Sequence, residues 1–282
     1  MSVNEATCQL RLLMVVAHPH DFTHMAGTCA HHIEDGDQVT VVSITGGSKT
    51  HNEKLFDELR KPADQQDMSV VTQSAEQYVN EKVEQFRKVC ALFGVTDCRV
   101  LPFSDVPLTG CDEMYQTLAQ IIREVQPHIL IAHSPGHPVD MTRTQMDDDH
   151  VEAGQATRMG VRLANAPDHN NRQAPHSIAT TYYMGAEYGI TDLDLIVDIT
   201  DQIEKRYQAE LLFTTQGHTE EFARKRMEVM SAMGWAAHTG YGEAFVRAGR
   251  QCSRKLLVTD EDLEEKELTR EQGMARLSQR LG

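Results

Sequence analysis

Long apolar runs, paired cysteines and an excess of positive charge are all missing from this 282-residue sequence. No stretch approaches the ~20 apolar residues that a membrane span needs. The opening "MSVNEATCQLRLLMVV" has neither a basic start nor a cleavage site. Both absences point to a cytoplasmic protein with no membrane partner. The six cysteines, Cys8, Cys29, Cys90, Cys98, Cys111 and Cys252, show none of the short spacings of zinc knuckles or redox motifs, and read as reduced, mostly buried thiols. With 27 basic against 42 acidic residues the formal net charge is -15, so a phosphate backbone is repelled on average and nucleic acid is not an expected partner. An anionic substrate would need a local basic pocket. No G-x-S-x-G elbow occurs, which disfavours a Ser-His-Asp hydrolase.

What is present is an alternation of strand and helix patterns. "LRLLMVV" (residues 10–16) is a continuous apolar run, "MAGTCAHHIEDG" carries helical spacing to a stop at Gly36, and "QVTVVSIT" (38–45) is again apolar and β-branched. This reads as β-α-β with a parallel pair buried on both faces. The pattern continues with helices near 75–93 and 113–125, strands at "CRVLPF" and "HILIAHS", and a helix near 149–164. The strand-like "SIATTYYM" and "LDLIVDIT" and helices at 202–214 and 220–237 follow. The fold class expected is α/β, a Rossmann-like, doubly wound and mostly parallel sheet flanked by helices. One domain over 1–282 is the simplest organisation, with a polar loop or small insertion near 46–74 and a charged helical tail near 258–282.

In such a sheet ligands bind outside the carboxyl ends of the strands. Two polar clusters fall there: "AHPHDFTH" after the first strand and "HSPGHPVDMTRTQMDDDH" after the strand at 129–132. His and Asp suit Zn²⁺, and a catalytic zinc keeps three protein ligands and an open position. His18, Asp21 and one histidine of the second cluster would make that set. Each of the 14 histidines, taken alone, reads more simply as a satisfied polar residue.

The ordered pieces "AHPHD", "AGTCAHHIEDGDQVTVVSITGG", "LPFSDVPLTG", "VQPHILIAHSP", "DDDHVEAGQATR", "VDITDQIEKRYQAELLFTTQ" and "YGEAF" resemble the PIG-L or LmbE-like deacetylases over roughly residues 12–245. That resemblance implies a zinc-dependent hydrolase, other divalent metals being possible, that removes an acyl group from an N-acylated, amino-sugar-like small molecule. It implies His18, Asp21 and His150 as metal ligands, Asp105 at a matching position as a supporting or substrate-contacting group, and a homo-oligomer; from their places in the sequence, Asp149, just before His150, reads as its support and His133, at the end of its strand, as a substrate or transition-state contact.

Two departures matter. The family's general base is the first aspartate of A-H-P-D-D, where this chain has His20, and the third acidic position of that loop is Phe22. Where the family has a histidine three residues before the last ligand, this chain has Asp147. An exchanged acid/base pair, His20 with Asp147, is the leading assignment, with metal ligation or a spectator role for His20 as alternatives. The same departures lean toward the 4-oxalomesaconate hydratase branch, giving as second reading a metal-dependent hydratase of an unsaturated carboxylic acid. Such a polycarboxylate would need cationic clamps, for which Arg143, Arg158 and Lys49 are available. His24 reads as loop support, and Glu243 as a contact to a neighbouring loop or subunit.

Overall fold

The first apolar run is uninterrupted because both of its faces are buried. In β1 (Arg11–Val16), Leu12, Met14 and Val16 join one core layer, and Leu13 and Val15, followed by Ala17, join the other. The computed structural model describes residues 9–136, 148–168, 172–185, 188, 190–256 and 258–280. Arg143 and Asp147 lie outside these residues.

β1 pairs in parallel with β2 (Gln38–Thr45) on one side and β4 (Ile129–Ala132) on the other, and β3 (Asp97–Phe103) extends the sheet beyond β2. On the opposite side follow β5 (Thr180–Met184), parallel to β4, then β7 (Gly242–Arg247) and β6 (Leu195–Asp198). The order among the described residues is β3-β2-β1-β4-β5-β7-β6, with β7 antiparallel to both neighbours. The chain thus reverses its direction of winding at β1 and β4, where the crevice of a doubly wound sheet opens. Val15 stands opposite both Val42 and Ala132, so the loops after β1, β2 and β4 leave at one edge.

Helices α1 (Ala26–Glu34) and α4 (Ala75–Leu92) cover one face of the sheet, and α5 (Asp112–Val125) and α6 (Asp148–Ala164) the other. Between β2 and α4, where the sequence suggested a polar loop or small insertion, two short helices form: α2 (Glu53–Arg60), capped by Asn52, and α3 (Met68–Val71), capped by Asp67. The chain continues through α7 (Ile203–Leu212) and α8 (Glu220–Trp235) to the exposed α9 (Asp260–Glu265) and α10 (Arg270–Arg280). Among the described residues no helix is long and apolar enough to cross a membrane. Phe22, in place of an acidic residue, is fully buried and meets Phe86 and Phe93 edge-to-face at 6.3 and 6.0 Å.

Three details fix the crevice. α6 lies against the end of β4 so closely that a Cβ at Gly154 would stand 2.4 Å from the Ser134 carbonyl oxygen. The segment after β2 is gathered by the buried Asp105, whose carboxylate accepts from Ser48 Oγ (2.6 Å), the amides of Lys49 (2.6 Å) and Thr50 (2.9 Å), and Thr50 Oγ1 (2.7 Å). Glu243 of β7 accepts from the amides of Gly27 (2.9 Å) and Thr28 (2.8 Å), so it caps α1, whose own N-cap residue Met25 has no polar side chain. The neighbour that the sequence suggested for Glu243 is therefore a helix of its own chain.

Gly154→Ala is expected to lower stability by about 1–3 kcal/mol, because the added methyl meets backbone. Urea denaturation measures this, and a loss below about 0.5 kcal/mol would mean that the helix can stand off freely. A second expectation concerns acid. Burial pushes the Asp105 carboxyl up, but hydrogen bonds from Ser48, Lys49 and Thr50 outweigh it and hold the group below the usual carboxylate range. A depressed value contributes stability above the unfolded pKa of about 3.9 that is lost as pH falls through the folded value. The stability gap between wild type and Asp105→Asn should narrow from neutral pH to about pH 3; a gap that stays constant would contradict the anchoring role.

Candidate metal centre

Directly after β1 the chain enters a tight 3₁₀ turn, Pro19–His24, whose proline suits a first helical position. The turn folds Asp21 back onto His18: the Asp21 carboxylate accepts the His18 amide at 2.8 Å, and His18 Nδ1 lies 3.3 Å from Asp21 Oδ2. Both side chains are fully buried. His133, just past β4, approaches Asp21 Oδ2 through Nε2 at 3.2 Å. His150, in the first turn of α6, stacks on His133 with ring centroids 4.1 Å apart and brings its Nε2 to 3.7 Å from Asp21 Oδ2. Gly154, one turn further along α6, is seated closely against the His133 and Ser134 carbonyls.

The structure thus brings together His18, Asp21 and His150, and adds His51 from the segment after β2. Donor atoms of all four lie within 4.8 Å of one another. Asp149 reaches His18 Nε2 at 2.9 Å, so it braces His18 rather than the adjacent His150. Burial pushes the Asp21 carboxyl up, but His150 and His18, with the hydrogen bond to His133, hold it well below the usual carboxylate range. Burial lowers His18, yet Asp21 and Asp149 outweigh it and raise the ring's pKa.

This donor set fits a divalent cation. Ligands about 2.0–2.2 Å from zinc stand roughly 3.3–3.5 Å apart at tetrahedral angles, close to the 3.3 and 3.7 Å separations seen around Asp21. Asp21 Oδ1 and His51 Nε2 are buried without a hydrogen-bond partner among the described residues. Such orphaned atoms cost folding energy unless an ion or water completes them.

His20 belongs to an adjacent layer. Its Nε2 lies 3.1 Å from Glu210 Oε2, an oxygen that His218 Nδ1 also approaches at 3.0 Å. Glu210, buried on α7, is pushed up by burial, but Arg206 above all holds it well below the usual range. Burial in turn pushes His20 down to about 3 against the pull of Glu210. A neutral imidazole facing a carboxylate must donate Nε2–H, which leaves the lone pair on Nδ1. His20, Glu210 and His218 also bring donor atoms within 4.8 Å. Arg206 Nη1, however, lies 2.5 Å from Glu210 Oε1, with Arg226 Nε at 3.5 Å. Like charges at such range repel by on the order of 4 kcal/mol per unit pair, so this layer reads as a hydrogen-bonded network rather than a cation site.

Asp105 is committed to the 48–50 segment and His24 to Arg226 Nη2, 3.2 Å away. Lys49 donates to the Val106 carbonyl, and Arg158 is exposed on α6. Sequence reasoning missed His51, Glu210 and His218. For His51 a signal existed: it follows the strand beside β1, at the same carboxyl edge.

Residues 13–161, just over half of the chain, match the PIG-L family, described as GlcNAc-PI de-N-acetylase. A 1D-myo-inositol 2-acetamido-2-deoxy-alpha-D-glucopyranoside deacetylase from Thermomonospora curvata is 28% identical over 195 residues, 61% of this chain and 59% of that protein. Its Streptomyces griseus counterpart is 29% identical over 201 residues, 63% of this chain and 56% of that protein. The chain therefore spans less than two thirds of the length of these relatives. Among solved structures, GalB, the 4-carboxy-2-hydroxymuconate hydratase from Pseudomonas putida KT2440, superposes with a TM-score of 0.70 at 20% identity, covering 88% of this chain and 100% of that one. An N,N'-diacetylchitobiose deacetylase from Pyrococcus horikoshii gives 0.66 at 21% identity, covering 84% and 82%. The structural likenesses share the fold, and the sequence match, together with the strand-end residues it contains, establishes that this chain belongs to the PIG-L family.

Proposed function

We propose that the protein is a metal-dependent hydrolase, zinc being the preferred ion, that removes an acyl group from the nitrogen of a small amino-sugar-like molecule. The observation that carries this reading is the convergence of His18, Asp21 and His150 at the switch point of the sheet, inside the segment that matches the family. The substrate class is drawn from the names of the curated relatives, which are acetamido-sugar deacetylases.

His18, Asp21 and His150 would hold the ion. A divalent cation there supplies Lewis acidity toward a carbonyl oxygen and lowers the pKa of water. Asp149 orients His18, and the His133 contact fixes Asp21, as outer partners of metal sites do. His20 is the proton carrier in this reading. Its neutral ring presents Nδ1, a buried atom without a hydrogen-bond partner among the described residues, while Glu210 secures Nε2–H. Water adds to the acyl carbon and its proton passes to His20 Nδ1; the C–N bond breaks and that proton leaves on the amine. The Glu210 carboxylate stabilises the imidazolium between these steps, as the acidic partner of a catalytic histidine does. Asp147, the partner that the sequence assigns to His20, belongs to this proposal without a structural description.

A second reading, hydration of an unsaturated carboxylic acid, draws on His20 in place of the family aspartate and on Arg226. That guanidinium is partly exposed beside His24 and is of the type that clamps carboxylates.

Zinc-loaded protein is expected to release free amine from N-acetylated amino sugars, and His18→Ala to abolish it, losing at least the ~10²–10⁴-fold that a single catalytic group contributes. Loss of enoate absorbance with oxalomesaconate-type acids, without amine release, would replace the first reading by the second. Inactivity of the zinc-loaded protein in both assays would overturn both.

A further inference from the structure

His51 is held in a way that an ordinary loop histidine is not. Its backbone is left-handed, with φ of 54°, a conformation that L-residues other than glycine adopt at a cost of roughly 1–2 kcal/mol. Strain of this kind persists where the surroundings over-determine it, and those surroundings are explicit here. Asp105 gathers residues 48–50, the buried Lys82 of α4 donates to the carbonyls of Gly47 (3.1 Å) and Thr50 (2.8 Å), and Tyr78 Oη donates to the His51 carbonyl at 2.7 Å. Three side chains from two elements thus grip the five residues 47–51 and turn one imidazole inward.

Its two nitrogens have different surroundings. Nδ1 lies 3.5 Å from the Glu53 carboxylate. Nε2 is buried, has no hydrogen-bond partner among the described residues, and stands 3.7 Å from Asp21 Oδ1. That distance is too long for a hydrogen bond and fits the edge between two ligands of one ion. A carboxylate behind one ring nitrogen, with the other nitrogen turned into the site, is the usual arrangement of a metal-ligating histidine. Asp21 Oδ1, the atom that Nε2 faces, is itself buried and unsatisfied.

We infer that His51 is a fourth protein ligand of the ion held by His18, Asp21 and His150, with Glu53 as its outer partner. The inference rests on the metal reading above and adds a residue from the 46–74 segment to it. The donor set becomes three imidazole nitrogens and one carboxylate oxygen. Four protein ligands fill a tetrahedral zinc shell, so a bound water requires five-coordination or more. The site then favours ions that accept higher coordination more than a three-ligand site would.

Metal binding to His51→Gly tests this, because glycine relaxes at the left-handed position and removes only the ring. Chelator competition with Zn²⁺ and Co²⁺ should give one ion per chain for wild type and none for His18→Ala. For His51→Gly it should show a loss of affinity of at least ~100-fold, and for Glu53→Gln a loss of roughly 10- to 100-fold. Added imidazole should restore both the affinity of His51→Gly and the visible spectrum of its Co²⁺ form, which a purely structural role would not allow. His51→Asn, also tolerant of left-handed backbone, serves if the glycine variant melts early. Affinity of the His51 variants within about threefold of wild type, with His18→Ala still unable to bind, would overturn the inference and leave the metal reading standing. A wild type that binds neither ion would overturn the metal reading itself.

Discussion

One buried carboxylate governs the middle of this molecule. Asp21 has no solvent exposure, and an isolated anion at that depth would be neutralised rather than tolerated. The turn after β1 gives it the His18 amide, β4 delivers His133, α6 delivers His150, and the segment after β2 delivers His51. Four chain segments far apart in sequence are therefore tied to one charge. The apolar layers of β1 carry that charge to the switch point of the sheet, and the glycine contact between α6 and β4 closes the distance across it.

Around this centre the charges are arranged in two shells of different character. The first gathers imidazoles about a carboxylate and leaves atoms open for a cation. The second sets Glu210 against Arg206 and Arg226, so the charge of that carboxylate is balanced by cations of the chain itself and His20 stays neutral beside it. The replacement of the family aspartate by His20 is intelligible on these terms. An aspartate in its place would put a second carboxylate in the same buried layer as Glu210, whereas an imidazole can donate to Glu210 and still keep a lone pair.

Much of the architecture was legible in the sequence, because a parallel strand buried on both faces announces itself as an unbroken apolar run. The alternation of such runs with helical spacing gave the doubly wound sheet and put "AHPHD" and "DDDH" at one edge. β7 was not read as a strand: it begins at a glycine, runs antiparallel, and its buried Glu243 breaks the apolar pattern in order to cap α1. The polar stretch after β2 hid His51 because its structure comes from side-chain anchors that leave no periodic trace. Asp149 illustrates the limit of adjacency: next to His150 in sequence, it braces His18 in space. Glu210 looked like one more charged helix residue, since burial of a glutamate beside an arginine four positions earlier cannot be told from a solvated pair without the partners across the fold.

The cap that Glu243 places on α1 has a bearing on how the protein comes into being. Every donor of the candidate centre lies within the first 150 residues, yet the amides at the start of α1 receive their acceptor only from residue 243, and His20 receives Glu210 and His218 from beyond residue 200. On a ribosome, an emerging chain would present the first strand, its turn and its helix long before the groups that finish them have been synthesised. The metal-facing half can be gathered early, but the helix behind it stays uncapped until residue 243 has appeared. β7 is in that sense a closing clasp for the first helix, supplied by a strand more than 200 residues downstream.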